Sequence, residues 1–181
     1  ACAAEGFLPE GALSWESSVD DVAARLGGDA AIQRESMGDY GEYAVVGKEN
    51  TACFGLECGC LMYMFYDGEL FGVYGYFTSE SLNGSAQTLI DRMIPVYGEP
   101  EYADPEGMSL SDFIGASTGS SVGSGMLCQW RTDEGVSIVV CRFSPAEDGE
   151  DYPYLCGFSA LNEAVSDRFD DALAGYLDTE D

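Results

Sequence analysis

The chain has 181 residues, 46% of them hydrophobic and 12% aromatic, which supplies enough apolar surface to build a core and excludes disorder as its resting state. Thirty-three acids against seven bases give a net charge of −26, with Lys48 the single lysine; this excludes binding driven by nucleic-acid phosphates and disfavours anionic membrane surfaces. No apolar run approaches the roughly 18 residues of a spanning helix, and the absence of histidine removes Ser-His-Asp, Cys-His and the usual zinc-based catalysis.

In chain order, residues 1–12 read as a tether, with Pro9 and Gly11 opposing regular structure. Cys2 stands beside Ala1, the Ala-Cys junction that a lipoprotein signal peptide would leave, so lipid attachment at Cys2 is one expectation and an ordinary tail residue the other. A helix follows. Ser18 can cap it with Asp21 three residues on, Asp20 and Asp21 favour the positive end of its dipole, and Gly27-Gly28 provides a left-handed stop. Val19, Val22, Ala23 and Leu26 then form one apolar stripe.

From Cys60 to Phe77, two runs of aromatic and branched residues flank Asp67-Gly68, a strong two-residue hairpin signal. A regular ladder from that turn pairs Tyr66 with Glu69, Met64 with Phe71 and Met62 with Val73. One face would then carry Cys60, Met62, Met64, Phe71 and Val73, and the other Leu61, Tyr63, Phe65, Leu70, Tyr74 and Tyr76. The tyrosines favour the second face as the wetter one, since their hydroxyls seek water or a polar partner.

A looser version of the same order follows. Ser85 can cap a helix with Leu89, Ile90, Met93, Ile94 and Tyr97 on one face, ended or kinked by Pro95. Ser109 to Gly125 reads as a glycine- and serine-rich insertion, without the Gly-Lys-Ser/Thr ending that contacts nucleotide phosphates. Met126–Arg131 and Val136–Phe143 make a second hairpin, and Tyr152–Phe158 a further strand beyond the acidic loop Glu147–Asp151. Leu161, Val165, Phe169, Leu173 and Leu177 describe a closing amphipathic helix.

Chemistry-bearing clusters are sparse. Cys53, Cys58 and Cys60 match neither zinc-ribbon nor iron–sulfur spacing and read as core residues; one cross-strand disulfide among Cys128, Cys141 and Cys156 is expected, leaving one thiol. The acidic loop could hold calcium through oxygen ligands but lacks EF-hand spacing. No metal site or cofactor is assigned. Two carboxylates suffice for glycoside hydrolysis, which keeps a carbohydrate-directed hydrolase as the alternative function.

The stretch Trp15 to Val22, ending at Gly27, resembles the aromatic-Gly-Met-Ser/Thr-x-x-x-Val helix entry of two small extracytoplasmic families, the β-lactamase inhibitory protein and the small outer-membrane assembly lipoproteins. Trp15, Ser18, Val22 and Gly27 match in type, while Glu16 and Ser17 stand in place of the Gly-Met pair. The resemblance implies an α+β fold made of a tandem repeat of helix plus antiparallel sheet, with a protein-binding sheet face. The expected organisation is a tether over 1–12, repeats over 13–80 and 81–160, and a C-terminal helix with acidic tail over 161–181. The expected function is a non-enzymatic, extracytoplasmic, secreted or lipid-anchored binding module whose partner is another extracytoplasmic protein, engaged by Tyr63, Phe65, Tyr74, Tyr76 and Trp130.

Overall fold

The computed structural model describes residues 14–109, 124–143 and 154–180. The expected tether with Cys2, most of the glycine-rich insertion and the acidic loop lie outside the described residues. The remainder is an α+β fold in which eight antiparallel strands form one sheet, in the order β1-β2-β3-β4-β8-β7-β6-β5. The strands are β1 (Ala31–Ser36), β2 (Glu42–Cys53), β3 (Leu56–Tyr66), β4 (Glu69–Thr78), β5 (Tyr102–Ser109), β6 (Ser124–Arg131), β7 (Val136–Phe143) and β8 (Tyr154–Asn162). Helices α1 (Val19–Leu26) and α2 (Gln87–Tyr97) precede the first and second sets of four strands, and α3 (Glu163–Glu180) closes the chain.

Helix α1 forms as its local chemistry dictates. The Ser18 hydroxyl accepts from the Asp21 N–H at 3.2 Å, and the Asp21 carboxylate accepts from the Ser18 N–H at 3.0 Å, a complete capping box. At the far end the Gly27 N–H donates to the Ala23 carbonyl at 3.1 Å. Lys48 Nζ donates to the Leu26 carbonyl at 2.6 Å, placing a cation at the negative end of the dipole. Helix α2 departs from expectation at its start. Ser85 precedes the helix, whose N-cap is Ala86 with no side-chain cap, and the helix runs through Pro95 to Tyr97. One proline removes only one ladder donor, and the Gly98 N–H still closes the helix on the Ile94 carbonyl at 2.8 Å.

Both helices lie on one sheet face. Val19 and Val22 of α1 and Leu89, Ile90 and Met93 of α2 share a single buried cluster with Val46, Leu61, Tyr63, Phe65, Val73, Phe77, Ile138, Val140 and Phe158. Trp130 completes this core, its Nε1 donating to the Gly98 carbonyl at 2.7 Å and its ring lying against Tyr97. Pairing indole N–H with a backbone acceptor is what lets so large a ring be buried.

The hairpin between β3 and β4 turns at Asp67 (φ 49°) and Gly68 (φ 80°), two left-handed residues as a type I′ turn demands. Tyr66 faces Glu69 and Phe65 faces Leu70 as the regular ladder requires, but the register then shifts: Met64 faces Gly72, Met62 faces Tyr74 and Cys60 faces Tyr76. Phe71 is the extra residue of a bulge. Because side chains alternate with period two, one inserted residue sends everything beyond it to the opposite face. Val73 therefore joins the core and Tyr74 and Tyr76 turn away from it, while Leu61, Tyr63, Phe65 and Leu70, expected beside those tyrosines on the wetter face, lie in the core instead.

The two sets of strands meet where β4 pairs with β8, Gly75 opposite Phe158 and Tyr76 opposite Gly157. The approach is close: a Cβ on Gly157 would sit 2.7 Å from the Gly75 carbonyl oxygen and 3.1 Å from the Phe143 ring. Gly157→Ala is expected to lower stability by about 1–3 kcal/mol, because the first obstacle is backbone that cannot rotate aside. Denaturant unfolding checks this through a lower midpoint at unchanged slope; a shift below about 0.5 kcal/mol would show that the seam is looser than described.

Candidate binding face of the sheet

The five residues expected to form a single recognition surface are divided between the two sides of the sheet. Tyr63, Phe65 and Trp130 are 2%, 0% and 3% exposed and belong to the helix-covered core. Tyr74 and Tyr76 are half-buried on the other side, together with Met62 and Met64. The surface as expected is thus corrected: the bulge at Phe71 keeps Tyr74 and Tyr76 from sharing a face with Tyr63 and Phe65.

Reading the registers across the sheet reconstructs the open side. One row runs Ala31, Gly47, Met62, Tyr74, Ser159, Val139, Gln129. The next runs Glu49, Cys60, Tyr76, Gly157, Cys141. Small residues at the β1–β2 end (Ala31, Gly47) leave a trough beside the taller Met62–Tyr74 ridge. Asp29, Ala31, Gln33, Val45, Gly47, Lys48, Glu49, Asn50, Cys60 and Met62 line this trough, whose volume is ≈ 590 Å³. In the middle of the second row Tyr76 lies against Phe143 and Tyr154, with ring centroids 5.7 and 5.6 Å away. The absence of a side chain at Gly59 makes this possible, since a Cβ there would be 2.7 Å from the Tyr154 ring.

Helix α3 covers a third part of the same side. Phe169 stacks on Tyr43 and Phe71 at 5.0 and 4.9 Å and leans on Tyr66 at 5.7 Å. Arg168 bonds Glu69, and Arg131 pairs with Glu163 at 3.3 Å at the start of the helix. The expected four-residue stripe is shortened by the strand before it: Leu161 ends in β8, Val165 is buried, and Leu177 is 54% exposed. Among the described residues the belt from the trough through Met62 and Tyr76 to Val139 stays half-buried, with Tyr74 shielded in part by α3, whose Asp170 acts on its hydroxyl.

The electrostatics of this side are set by burial and a few contacts. Lys48 Nζ lies 2.9 Å from Asp29, and this hydrogen bond holds the Asp29 carboxyl below the usual carboxylate range. Burial raises the Tyr74 hydroxyl to about 12, reinforced by Tyr76, Tyr43 and Asp170. Burial also raises the Asp170 carboxyl, with Asp167 and Asp171 adding to the effect. Among the described residues, no group of three or more His, Cys, Asp and Glu side chains could hold a metal ion.

The expected disulfide is replaced by thiols at Cys128, Cys141 and Cys156. Register explains the correction: Cys128 faces Val140, Cys141 faces Met126 and Gly157, and Cys156 faces Arg142 and Phe77, so no two of them stand opposite each other. Burial raises Cys128 and Cys156 to about 12 and Cys58 and Cys141 to about 11. Cys60, on the trough floor, is also raised by burial and by Glu49.

In comparisons with known proteins, no family model, no curated protein and no solved structure matches the chain.

Two outcomes follow from these shifts. Thiolate is the reactive form of cysteine, so iodoacetamide at about pH 8 is expected to leave Cys58, Cys128 and Cys156 unmodified in the native protein and to label them in denaturant, read by mass spectrometry. Native-state labelling of these three as fast as a free thiol would refute their burial. For Asp170 the folded pKa lies above the usual carboxylate range, so its ionised form disfavours the folded state, and that penalty fades as pH falls through the folded pKa. Asp170→Asn is therefore expected to raise Tm near pH 7 and to have no effect near pH 3; the reverse pH order would reject the assignment.

Proposed function

We propose that this protein is a non-enzymatic binding module that acts outside the cytoplasm and recognises another protein through the half-buried belt of its sheet. The observation that carries this reading is the belt itself: Met62, Tyr74, Tyr76 and Val139 are half-buried on a rigid eight-stranded platform, on the side opposite α1 and α2. Aromatic side chains held on strands lose little entropy on binding and offer large contact areas, and methionine adapts its shape to a partner, which suits both to an interface.

Two further features support the reading. Each of α1 and α2 is followed by four consecutive strands, and the strand order runs inward from β1 and from β5 to meet at β4 and β8, as two copies of one helix-plus-sheet unit would be arranged. Such a repeat is what the helix-entry resemblance of Trp15, Ser18, Val22 and Gly27 implies, and the extracytoplasmic setting is taken from the families that carry that entry. The thiols fit such a setting, because burial keeps Cys58, Cys128 and Cys156 protonated and hence slow to exchange in an oxidising compartment. The hydrolase alternative needs a carboxyl that retains its proton. Asp29 in the trough is held in the opposite direction by Lys48, and the raised carboxyl, Asp170, stands on α3 among Asp167 and Asp171 and does not line the trough.

The test compares the wild-type chain with a Met62→Asp/Tyr76→Asp variant, both confirmed as folded by circular dichroism, in affinity capture from an extracytoplasmic fraction. The expected result is a protein retained by the wild-type chain alone, whose binding slows hydrogen exchange of β3 and β4. Equal retention by both, or protection confined to α1 and α2, would overturn the assignment of the belt.

A further inference from the structure

Strand β1 is one edge of the sheet, and all six of its residues are exposed. Its ladder to β2 is continuous from Ala31 opposite Gly47 to Ser36 opposite Glu42, with no bulge and no proline. Natural edge strands are usually blunted by such devices or by a covering element, because a regular edge offers a row of backbone donors and acceptors to any extended chain. Among the described residues none of these covers β1. The side chains on either side of the edge match a strand-like guest. Ala31 and Gln33 open onto the trough, while Ile32, 45% exposed, is one of only three large apolar side chains exposed among the described residues.

Charge identifies the guest. Around β1 stand five carboxylates, Asp20, Asp29, Glu35, Glu42 and Glu49, against two cations, Arg34 and Lys48. Both cations are already engaged, Arg34 with Glu42 at 3.0 Å and with Asp20 at 4.0 Å, and Lys48 with Asp29. A second copy of the chain would bring another net charge of −26 to the same edge, and residues 1–13 carry Glu5 and Glu10 but no cation. Like charge disfavours both occupants; opposite charge favours a basic one.

We propose that the β1 edge and its trough take an extended, lysine- or arginine-rich segment of another protein as a ninth strand. The guest's backbone completes the ladder, its apolar side chains meet Ile32 on one face, and its cations lie over Glu35 and Glu49 on the other. This rests on the reading of the protein as a binding module and adds the chemistry of the partner and the place where it enters the sheet.

The experiment uses the full chain and a short synthetic peptide alternating lysine and valine, with its glutamate–valine counterpart as control, followed by amide chemical shifts and fluorescence anisotropy. The basic peptide is expected to shift the β1 amides and to lose about tenfold or more in affinity from low to high salt, while the acidic peptide leaves β1 unchanged. Glu35→Gln and Glu49→Gln are each expected to weaken binding about two- to fivefold. Successive residues of an antiparallel edge strand point their N–H groups alternately inward and outward. Of Ile32→Pro and Gln33→Pro, one therefore breaks the ladder to β2 and lowers Tm, whereas the other keeps Tm and must lose at least about tenfold in peptide affinity.

Several results would overturn the proposal: equal binding of both peptides, no shift in β1, unchanged affinity in the proline variant that keeps its Tm, or self-association through β1 in sedimentation. Shifts confined to Met62, Tyr74 and Tyr76 would refute the edge while leaving the belt as the binding surface. Edge binding that persists in Tyr74→Ala supports the edge as a separate determinant.

Discussion

The pairing of β4 with β8 is the contact on which the rest of the sheet depends. Among the described residues it is the only ladder that joins strands β1–β4 to strands β5–β8, so the eight-stranded platform exists because these two strands accept each other. Their fit is built from absences. Gly75 leaves room for the Phe158 ring and Gly157 for the Phe143 ring, so large aromatic side chains lie across backbone where a side chain would otherwise stand. A glycine in mid-strand weakens local structure, and the aromatic rings lying over these two replace the missing contacts with apolar burial.

A second constraint acts through parity. The bulge at Phe71 adds one residue to β4, and that residue decides which side chains join the core and which face outward. The inserted ring has its own partner, stacking on Phe169 of α3. One irregularity thereby turns Tyr74 and Tyr76 to the open side and gives the closing helix an anchor. The belt and the strap beside it share a structural origin, which ties the candidate binding surface to the way the helix docks.

Electrostatics shape the molecule by scarcity. With seven basic residues in the chain, the described ion pairs put cations where they serve structure: Lys48 at the end of α1, Arg131 at the start of α3, and Arg168 between α3 and β4. Such exposed pairs each contribute little to stability. They leave the remaining surface acidic, which keeps copies of the chain apart and selects for partners of opposite sign. Shape at the belt and charge at the edge thus act on different parts of recognition, the first through contact area and the second through long-range attraction.

Local chemistry made much of the fold legible in advance. The capping box at Ser18 and Asp21, the stop at Gly27, the Asp67-Gly68 turn and the hairpin to Val136–Phe143 each depend on residues within a few positions of one another, and each is present in the structure. Strands β1, β2 and β5 were not legible. β1 is exposed at every position and so has no alternation to read, and β2 mixes buried and exposed positions with Gly47 and Asn50. The Ser85 cap failed because backbone bonds to Leu82 and Ala86 organise the start of α2 without it. The candidate site was half legible, in that Tyr74 and Tyr76 were identified while Tyr63, Phe65 and Trp130 proved to be core. By itself, then, the sequence determined the α+β class, the antiparallel hairpins, the helix ends set by capping, and the charge that restricts partners, since all of these arise from neighbours in the chain or from totals. Only the tertiary structure decided which face each aromatic occupies, that no two of Cys128, Cys141 and Cys156 stand opposite each other, and which strand is left at the edge, because bulges and the distant pairing of β4 with β8 settle those, and neither leaves a mark in local periodicity.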